Sequence, residues 1–596
     1  MPLPFFAWCK CKTKKAQLKK SILTAGIHLQ DITFDFGVMK ITNEILQSSL
    51  ILTLLLIFPG CNHADKQNVD TILFNGVVYT CDSAFTMAEA VAIQNGLIVA
   101  TGSDMDIFDK FTSQHNIDLK KKPVYPGFID AHSHFYGYGN DLQELDLKSC
   151  ISFEDMINKT VAYAQASQPN FIIGRGWNEE NWVVKGTINK TRLDILFPDI
   201  PVFLQRVDGH AALCNQAALD LANIDVNTFI AGGRIEKMGP FLTGIITDKA
   251  AGQVMDILPE PSLEQRKKAL VDAQNACYKA GLTTVTDAGL ELDIIVLMDS
   301  LLRSKDLSIQ LYVMADPDTN SINTLLNNKV LMNNKKLGFH SVKLYADGSL
   351  GSRGALLKIP YCDDETQIGL IQHPIGFYKS LIAYCYKNNL QVNTHCIGDS
   401  ANNLLLNLYG THLKGKNDLR WRIEHAQVVD PIDFSLFSKF SIIPSIQPTH
   451  ATSDASMAKK RLCDHPTMSG AYAYKSLLDE TGLVAFGTDF PVESIDPIAT
   501  FFSAVKRRTK TGEIFKPEEA IAPKDALLAM TIWAAYSCKL EDRIGSIEIG
   551  KIGNITILSD DMMTAYNRGR ISTILTMSDG NIVHNSGVLA VSSEPN

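Results

Sequence analysis

Apolar and polar positions alternate at both ends of the chain and run together in its middle. Residues 70 to 102 (DTILFNGVVYTCDSAFTMAEAVAIQNGLIVATG) read as short strands punctuated by Asn75-Gly76 and Asn95-Gly96, both hairpin signals. Residues 544 to 588 carry the same texture (IGSIEIGKIGNITIL, then ISTILTMSDGNIVHNSG). The two ends, 68–122 and 545–590, are expected to pair into one small β-sandwich domain. Between them, over 123–544, helical segments alternate with short β-rich runs. Eight runs qualify as strands: Tyr125–His132, Thr283–Asp287, Ile309–Met314, Ser341–Tyr345, Gln391–His395, Arg420–His425, Ile442–Ile446 and Val484–Thr488. Most are continuously apolar, as parallel strands covered on both faces should be. Eight strands alternating with helices predict an α/β chain with a (β/α)₈ TIM-type barrel. The first interval is too long for one βα unit, at roughly 150 residues. Much of it, about 136 to 265, is assigned to an inserted subdomain over the barrel mouth.

The N-terminal pattern is different. Leu50 to Phe58 is apolar except for Thr53. It is too short for a spanning helix, which needs about 20 residues, and it suits the core of a signal peptide. Pro59, Gly60 and Cys61 follow, an arrangement that resembles a bacterial lipoprotein signal, although Phe58 and Pro59 depart from the usual pattern. Residues 1–61 then form a leader, with 1–38 an upstream mis-start before Met39-Lys40. Lipid on Cys61 would be the chain's membrane contact, giving a lipid-anchored or periplasmic protein of the bacterial cell envelope. The alternative is a short buried helix.

Composition changes the picture little. With 596 residues, 45% apolar, the chain can bury a large core. Its net charge is −8, and loss of residues 1–60, with seven Lys/Arg and three Asp/Glu, would make it −12. There is no basic stripe, which argues against a nucleic-acid partner. The 12 cysteines have no regular spacing, and Cys9 and Cys11 lack a second pair at zinc-finger spacing.

Chemistry gathers at the predicted strand ends. His132 and His134 (PGFIDAHSHF) are an H-x-H pair, and alternate residues of a strand point to one side. Neutral imidazoles are common ligands for zinc and similar metals. His395 (QVNTHCIGD), His425 (RWRIEHAQ) and Asp489 (VAFGTDFPV) also end strands, where a barrel keeps its active site. One such histidine is an ordinary structural residue; four with an aspartate form a pattern. Lys343 (SVKLYADGSLGSR) lies inside a buried strand, where an unpaired ammonium is costly. Either it makes a buried salt bridge, with Asp347 as partner, or its amine takes up carbon dioxide as a metal-bridging carbamate.

H-x-H on strand one, Lys on strand four, His on strands five and six and Asp on strand eight resemble the binuclear amidohydrolase superfamily. VKLYADGSLGSRGALL, GLTTVTDAG, RVDGHAALCNQAAL, SIQPTHATSD and AFGTDFPVES narrow the resemblance to its family-3 branch, which includes N-substituted formamide deformylases. It covers about residues 70 to 588; the departure is Gly553-Asn554, where the branch usually has Ala-Asp. The resemblance implies two divalent metal ions, zinc or a related metal. His132 and His134 would hold one with Asp489, and His395 and His425 the other, with carboxylated Lys343 bridging. Two cations sharing a water lower its pKa from about 15.7 towards neutrality, giving a hydroxide that attacks a small amide-like substrate. Asp489 would take the proton and deliver it to the leaving nitrogen. The activity implied is hydrolysis of a carbon–nitrogen bond other than a peptide bond.

Softer assignments surround that set. Arg206, Asp208 and His210 (RVDGH) fall in the insert and resemble a motif near the substrate pocket, or form an ordinary ion-paired turn. His450 is expected to bond a substrate oxygen or the tetrahedral intermediate, the alternative being a surface loop. Trp177 and Trp182 line a hydrophobic entrance or pack the insert. Ser349, Gly351 and Arg353 shape the loop after Lys343. Two rival functions stand beside this one. A mono-metal deaminase needs a glutamate after strand five, where this chain has Cys396-Ile397-Gly398-Asp399. A non-catalytic surface binding protein on the same scaffold would lack ligands, and all six are present.

Overall fold

The computed structural model describes residues 66–328, 331, 333–564 and 570–590. The leader and Cys61 lie outside the described residues. Eight strands form one parallel sheet in strict chain order: β1 (Phe128–Ser133), β2 (Leu282–Leu290), β3 (Gln310–Ala315), β4 (Leu337–Tyr345), β5 (Gln391–Cys396), β6 (Arg422–His425), β7 (Ile443–Ile446) and β8 (Ala485–Phe486). All but a few of their residues are buried, which is why they read as continuous apolar runs. Just past β8 the ring meets β1. The Asp489 N–H donates to the His132 carbonyl at 2.8 Å, and the His134 N–H to the Phe490 carbonyl at 2.8 Å.

Gly487 makes that approach feasible, since a Cβ there would lie 2.5 Å from the His132 nitrogen. Backbone cannot yield as a flexible side chain can. Gly487→Ala is therefore expected to cost about 1–3 kcal/mol through overpacking, and to displace His132. Denaturant unfolding and metal titration of the variant would check this; wild-type values in both would contradict it.

The first strand differs from its expected form. Tyr125–His132 is broken at Gly127, where a Cβ would sit 2.3 Å from Thr283 Oγ1. Before the break, Pro123–Pro126 pairs antiparallel with Ile555–Leu558 and parallel with Val77–Tyr79. This six-stranded sheet runs in the order 581–585, 573–578, 555–558, 123–126, 77–79, 87–88 and so combines both ends of the chain. A four-stranded sheet, 97–102, 90–94, 71–74 and 115–118, lies beside it. Leu73, Val91 and Ile117 of one sheet share a core with Val78, Val124, Ile555 and Ile574 of the other.

Between β1 and β2 the chain builds another six-stranded sheet from strands within 145–248. It carries its own apolar core, in which Trp177 and Trp182 stand 6.1 Å apart with Leu145, Ile172, Val202 and Leu213. Trp177 is thereby corrected as a substrate-contact residue: its indole N–H donates to the Leu204 carbonyl at 2.7 Å, inside the insert. The return helix, Leu263–Ala280, opens on a Ser262/Gln265 capping box and stops at Gly281, whose φ of 90° turns the chain into β2. A disulfide between Cys362 and Cys463 ties the loop after β4 to the segment after β7.

Candidate metal centre

The strand ends converge. His132 Nε2 lies 3.5 Å from Asp489 Oδ1, and His134 Nε2 lies 3.2 Å from the same oxygen. Lys343 Nζ approaches His132 Nε2 to 3.3 Å. The His132 and His425 rings are 4.7 Å apart, and those of His425 and His395 4.5 Å. Ligand atoms of His132, His425 and Asp489 fall within 4.8 Å of one another, enough for one cation. The six predicted ligands thus meet at the C-terminal end of the barrel, five of them buried and His134 partly exposed.

Outer partners set the ring orientations. His132 Nδ1 bonds Glu424, His134 Nδ1 lies 3.1 Å from the Ala288 carbonyl, and His425 Nδ1 lies 2.7 Å from Gln447 Oε1. A ring nitrogen that donates outward leaves its Nε2 lone pair for a metal. His395 Nε2 and Asp489 Oδ1 are buried without a hydrogen bond, which suits atoms that await a cation. Left-handed backbone occurs here too: His425, Ala426 and Asp489 have φ of 72°, 42° and 60°, a cost of order 1–3 kcal/mol each for such residues.

Electrostatics favour ligand forms. Burial pushes His132 down to about 4, aided by the Lys343 charge. Burial and neighbouring histidines hold His395 and His425 well below the usual range. All three are neutral imidazoles. Burial also lowers Lys343 to about 8 against the pull of Glu424 and Asp489, so free amine is accessible near neutral pH. The salt bridge to Asp347 does not form. Asp347 instead accepts the N–H groups of Leu356, Ile397 and Gly398 at 2.8, 3.0 and 2.8 Å. Among the described residues no carboxylate stands within ion-pair distance of Lys343.

The other assigned residues sort by distance from this cluster. His450 is buried, with Nε2 3.3 Å from Asp489 Oδ2 and Nδ1 3.3 Å from Glu493. Burial opposes its charge, but those two carboxylates raise it to about 10. Arg206 is saturated by Glu179 at 2.8 Å, Asn178 at 3.2 Å and Asp208. Asp208 accepts the Ser349 and Ser352 hydroxyls at 2.9 and 2.7 Å, docking the insert on the loop after β4. Gly351 lies under Arg206, and Arg353 pairs with Asp363 at 2.8 Å. His210 is held by Asp248 at 2.9 Å with its ring 5.3 Å from that of His395.

Sequence reasoning missed the supports. Glu424 and Arg422 are fully buried and form a two-point ion pair, with Nε–Oε1 2.6 Å and Nη2–Oε2 2.9 Å. Burial alone would raise the Glu424 carboxyl; Arg422 and His132 hold it far below the usual range. Two charges at i, i+2 in a buried strand were the available signal. Asp130 accepts the Thr488 hydroxyl at 2.6 Å and the His132 N–H at 3.1 Å, bracing β1 against the Asp489 loop.

The comparisons agree with this geometry. A protein named LONG AFTER FAR-RED 3 from Arabidopsis thaliana is 33% identical over 530 residues, covering 85% of this chain and 90% of that protein. An N-substituted formamide deformylase from Arthrobacter pascens is 24% identical over 522 residues, covering 83% and 94%. The crystal structure of an uncharacterized metal-dependent hydrolase from Pyrococcus horikoshii superposes with a TM-score of 0.67 at 25% identity, covering 83% of this chain and 98% of that one. Residues 115–584 match the amidohydrolase family. With its parallel barrel and ligand set at the strand ends, the chain belongs to the amidohydrolase family and is a metal-dependent hydrolase acting on carbon–nitrogen bonds.

Proposed function

We propose that the protein hydrolyses the C–N bond of a small amide-like substrate at a binuclear centre, with zinc as the metal and a carbamate on Lys343 as the bridge. The observation that carries this reading is Lys343 itself: buried, without a carboxylate partner, its Nζ 3.3 Å from a ligand nitrogen. An ammonium in that setting is unstable, whereas an amine that adds carbon dioxide and loses a proton becomes a bidentate anion among neutral imidazoles. His132, His134 and Asp489 would hold one ion, and His395 and His425 the other. A bound metal pair would supply a water of lowered pKa and polarise the scissile carbonyl.

The chain's own residues do the remaining work. Asp489 stands between His134 and His450, placed to accept a proton from the attacking water and pass it to the leaving nitrogen. His450, held by Glu493 and Asp489, is oriented to donate to a substrate oxygen on which charge develops. Arg206 and Asp208 position the insert, and His210 faces the substrate from that side. In the same reading the two terminal sheets, with their shared core, make the small β-sandwich domain.

Metal analysis joined to a screen of N-formyl, N-acyl and cyclic amides tests this. About two equivalents of metal, and turnover lost on chelation and restored by zinc, are expected. N-substituted formamides come first because the Arthrobacter relative is named for them. One equivalent with ring deamination would favour the mono-metal reading, and no metal would favour a binding protein.

A further inference from the structure

Two neighbouring strands of the insert meet at one imidazole. Ala211–Cys214 and Phe241–Asp248 pair antiparallel, with Ala211 opposite Thr247, which brings His210 against Asp248. The Asp248 N–H donates to the His210 carbonyl at 2.7 Å, and Asp248 Oδ1 accepts from His210 Nδ1 at 2.9 Å. The Asp248 side chain is 1% exposed, and its second oxygen, Oδ2, is buried without a hydrogen bond. A buried carboxylate with a single partner is costly. Its backbone is costly too, with φ at 52° and ψ at −124°, a conformation that a residue with a Cβ seldom adopts. Strain of this kind persists only where its surroundings enforce it, and it gathers at functional sites.

The loop after β4 supplies those surroundings. Gly348 and Gly354 face each other there, a Cβ on Gly354 falling 3.0 Å from the Gly348 Cα. The Asp248 carboxylate lies against both: a Cβ on Gly348 would stand 2.7 Å from Oδ1, and one on Gly354 3.2 Å from Oδ2. A side chain at either position would push the carboxylate off its seat, which gives the first and last glycines of the DGSLGSRG stretch a reason. Ser349 and Ser352 of the same loop hold Asp208, whose Oδ1 accepts the His210 N–H at 3.1 Å. One acid thus fixes the His210 backbone and another its ring.

One edge of that ring is left. The His210 side chain is 20% exposed, and Nε2 has no hydrogen bond among the described residues. The ring stands 5.3 Å from that of His395, whose own Nε2 is buried without a partner. A carboxylate accepts and does not donate, so Nδ1 keeps its hydrogen in either charge state of the ring. We infer that Asp248 is a positioning residue, which holds His210 in the one tautomer and orientation that presents Nε2 to the substrate beside His395. This rests on the hydrolytic reading and adds to it a residue that touches neither metal ligand nor substrate.

Asp248→Asn is the test. Asn keeps the shape, tolerates positive φ and offers an amide N–H that can reverse the hydrogen bond to Nδ1. With N-phenylformamide and the metal-loaded protein, kcat is expected to fall about 100-fold, as it does when a group at the reacting centre is misplaced. KM should stay within about threefold. His210→Gln should fall as far, and adding Asp248→Asn to it should change nothing more, because the carboxylate acts through the ring. Gly348→Ala leaves both partners in place and should lower kcat about tenfold by shifting the carboxylate. A merely structural Asp248 would lower activity by the same factor with or without His210, and that result overturns the proposal. A second readout needs no turnover: NMR of the metal-free protein labelled at its histidine nitrogens, with His210 assigned by its loss in His210→Gln. Asp248→Asn should move both His210 nitrogen resonances, and unmoved resonances overturn the proposal as well. Moved resonances in a protein that hydrolyses no amide would refute the hydrolytic reading and leave the Asp248–His210 placement standing.

Discussion

Lys343→Ala is expected to lower kcat/KM by about three orders of magnitude or more, while the barrel stays folded. The size follows from the several kcal/mol of charge stabilisation that a metal pair supplies to an acyl-transfer transition state, at tenfold in rate for each 1.36 kcal/mol. Stability should hardly fall. The side chain removed is a buried cation whose burial already weakens its charge, so the cavity left behind is offset by the desolvation penalty that disappears. Two measurements make the prediction specific. On the proposed binuclear reading, metal content should drop below two equivalents, and short carboxylic acids such as propionate should restore part of the activity by standing in for the carbamate proposed on Lys343. Asp489→Ala should be equally inactive and should not be rescued, because the role proposed for it combines ligation with proton transfer. Full activity in the Lys343 variant would remove lysine from the centre; inactivity with two metals bound and no rescue would remove the bridge.

Glu424→Gln should be costly twice over. The substitution keeps the shape of the side chain and deletes its charge. Arg422, fully buried, then has lost the carboxylate that pairs with it at 2.6 and 2.9 Å. Breaking a buried pair from one side costs about 3–5 kcal/mol, which denaturant unfolding of the metal-free protein would register. His132 also loses the anion that orients its Nδ1–H, and outer-partner changes of this kind weaken metal binding about 10- to 100-fold. Joint replacement, Arg422→Met with Glu424→Met, separates the effects. It should recover much of the stability, because no lone charge remains, but not the metal affinity. A Glu424→Gln protein with wild-type stability and wild-type metal affinity would contradict the role assigned to this pair.

Glu424 also shows where a one-dimensional reading stops. The clustering of the six candidate ligands was legible because each sits at the end of an apolar run, where a barrel puts its chemistry, and H-x-H needs only the two-residue period of a strand. Their supports were not, since each depends on a partner far along the chain. Glu424 and His132 are 292 positions apart, and Asp130 and Thr488 are 358 apart. The Cys362–Cys463 bond, 101 positions long, was equally invisible among 12 unpatterned cysteines.

Hydrophobic periodicity by itself determined seven of the eight barrel strands to within a few residues, the long interval after the first, and the strand-rich ends. Those are local properties, written in which positions must leave water. Tertiary structure decided the rest: that strand one divides at Gly127 because Thr283 fills the space of a side chain, that Trp177 belongs to the insert's core, and that Lys343 points at His132 with no acid to pair it. Each of these depends on which distant atoms share a volume, and such contacts exist only after the chain has closed on itself.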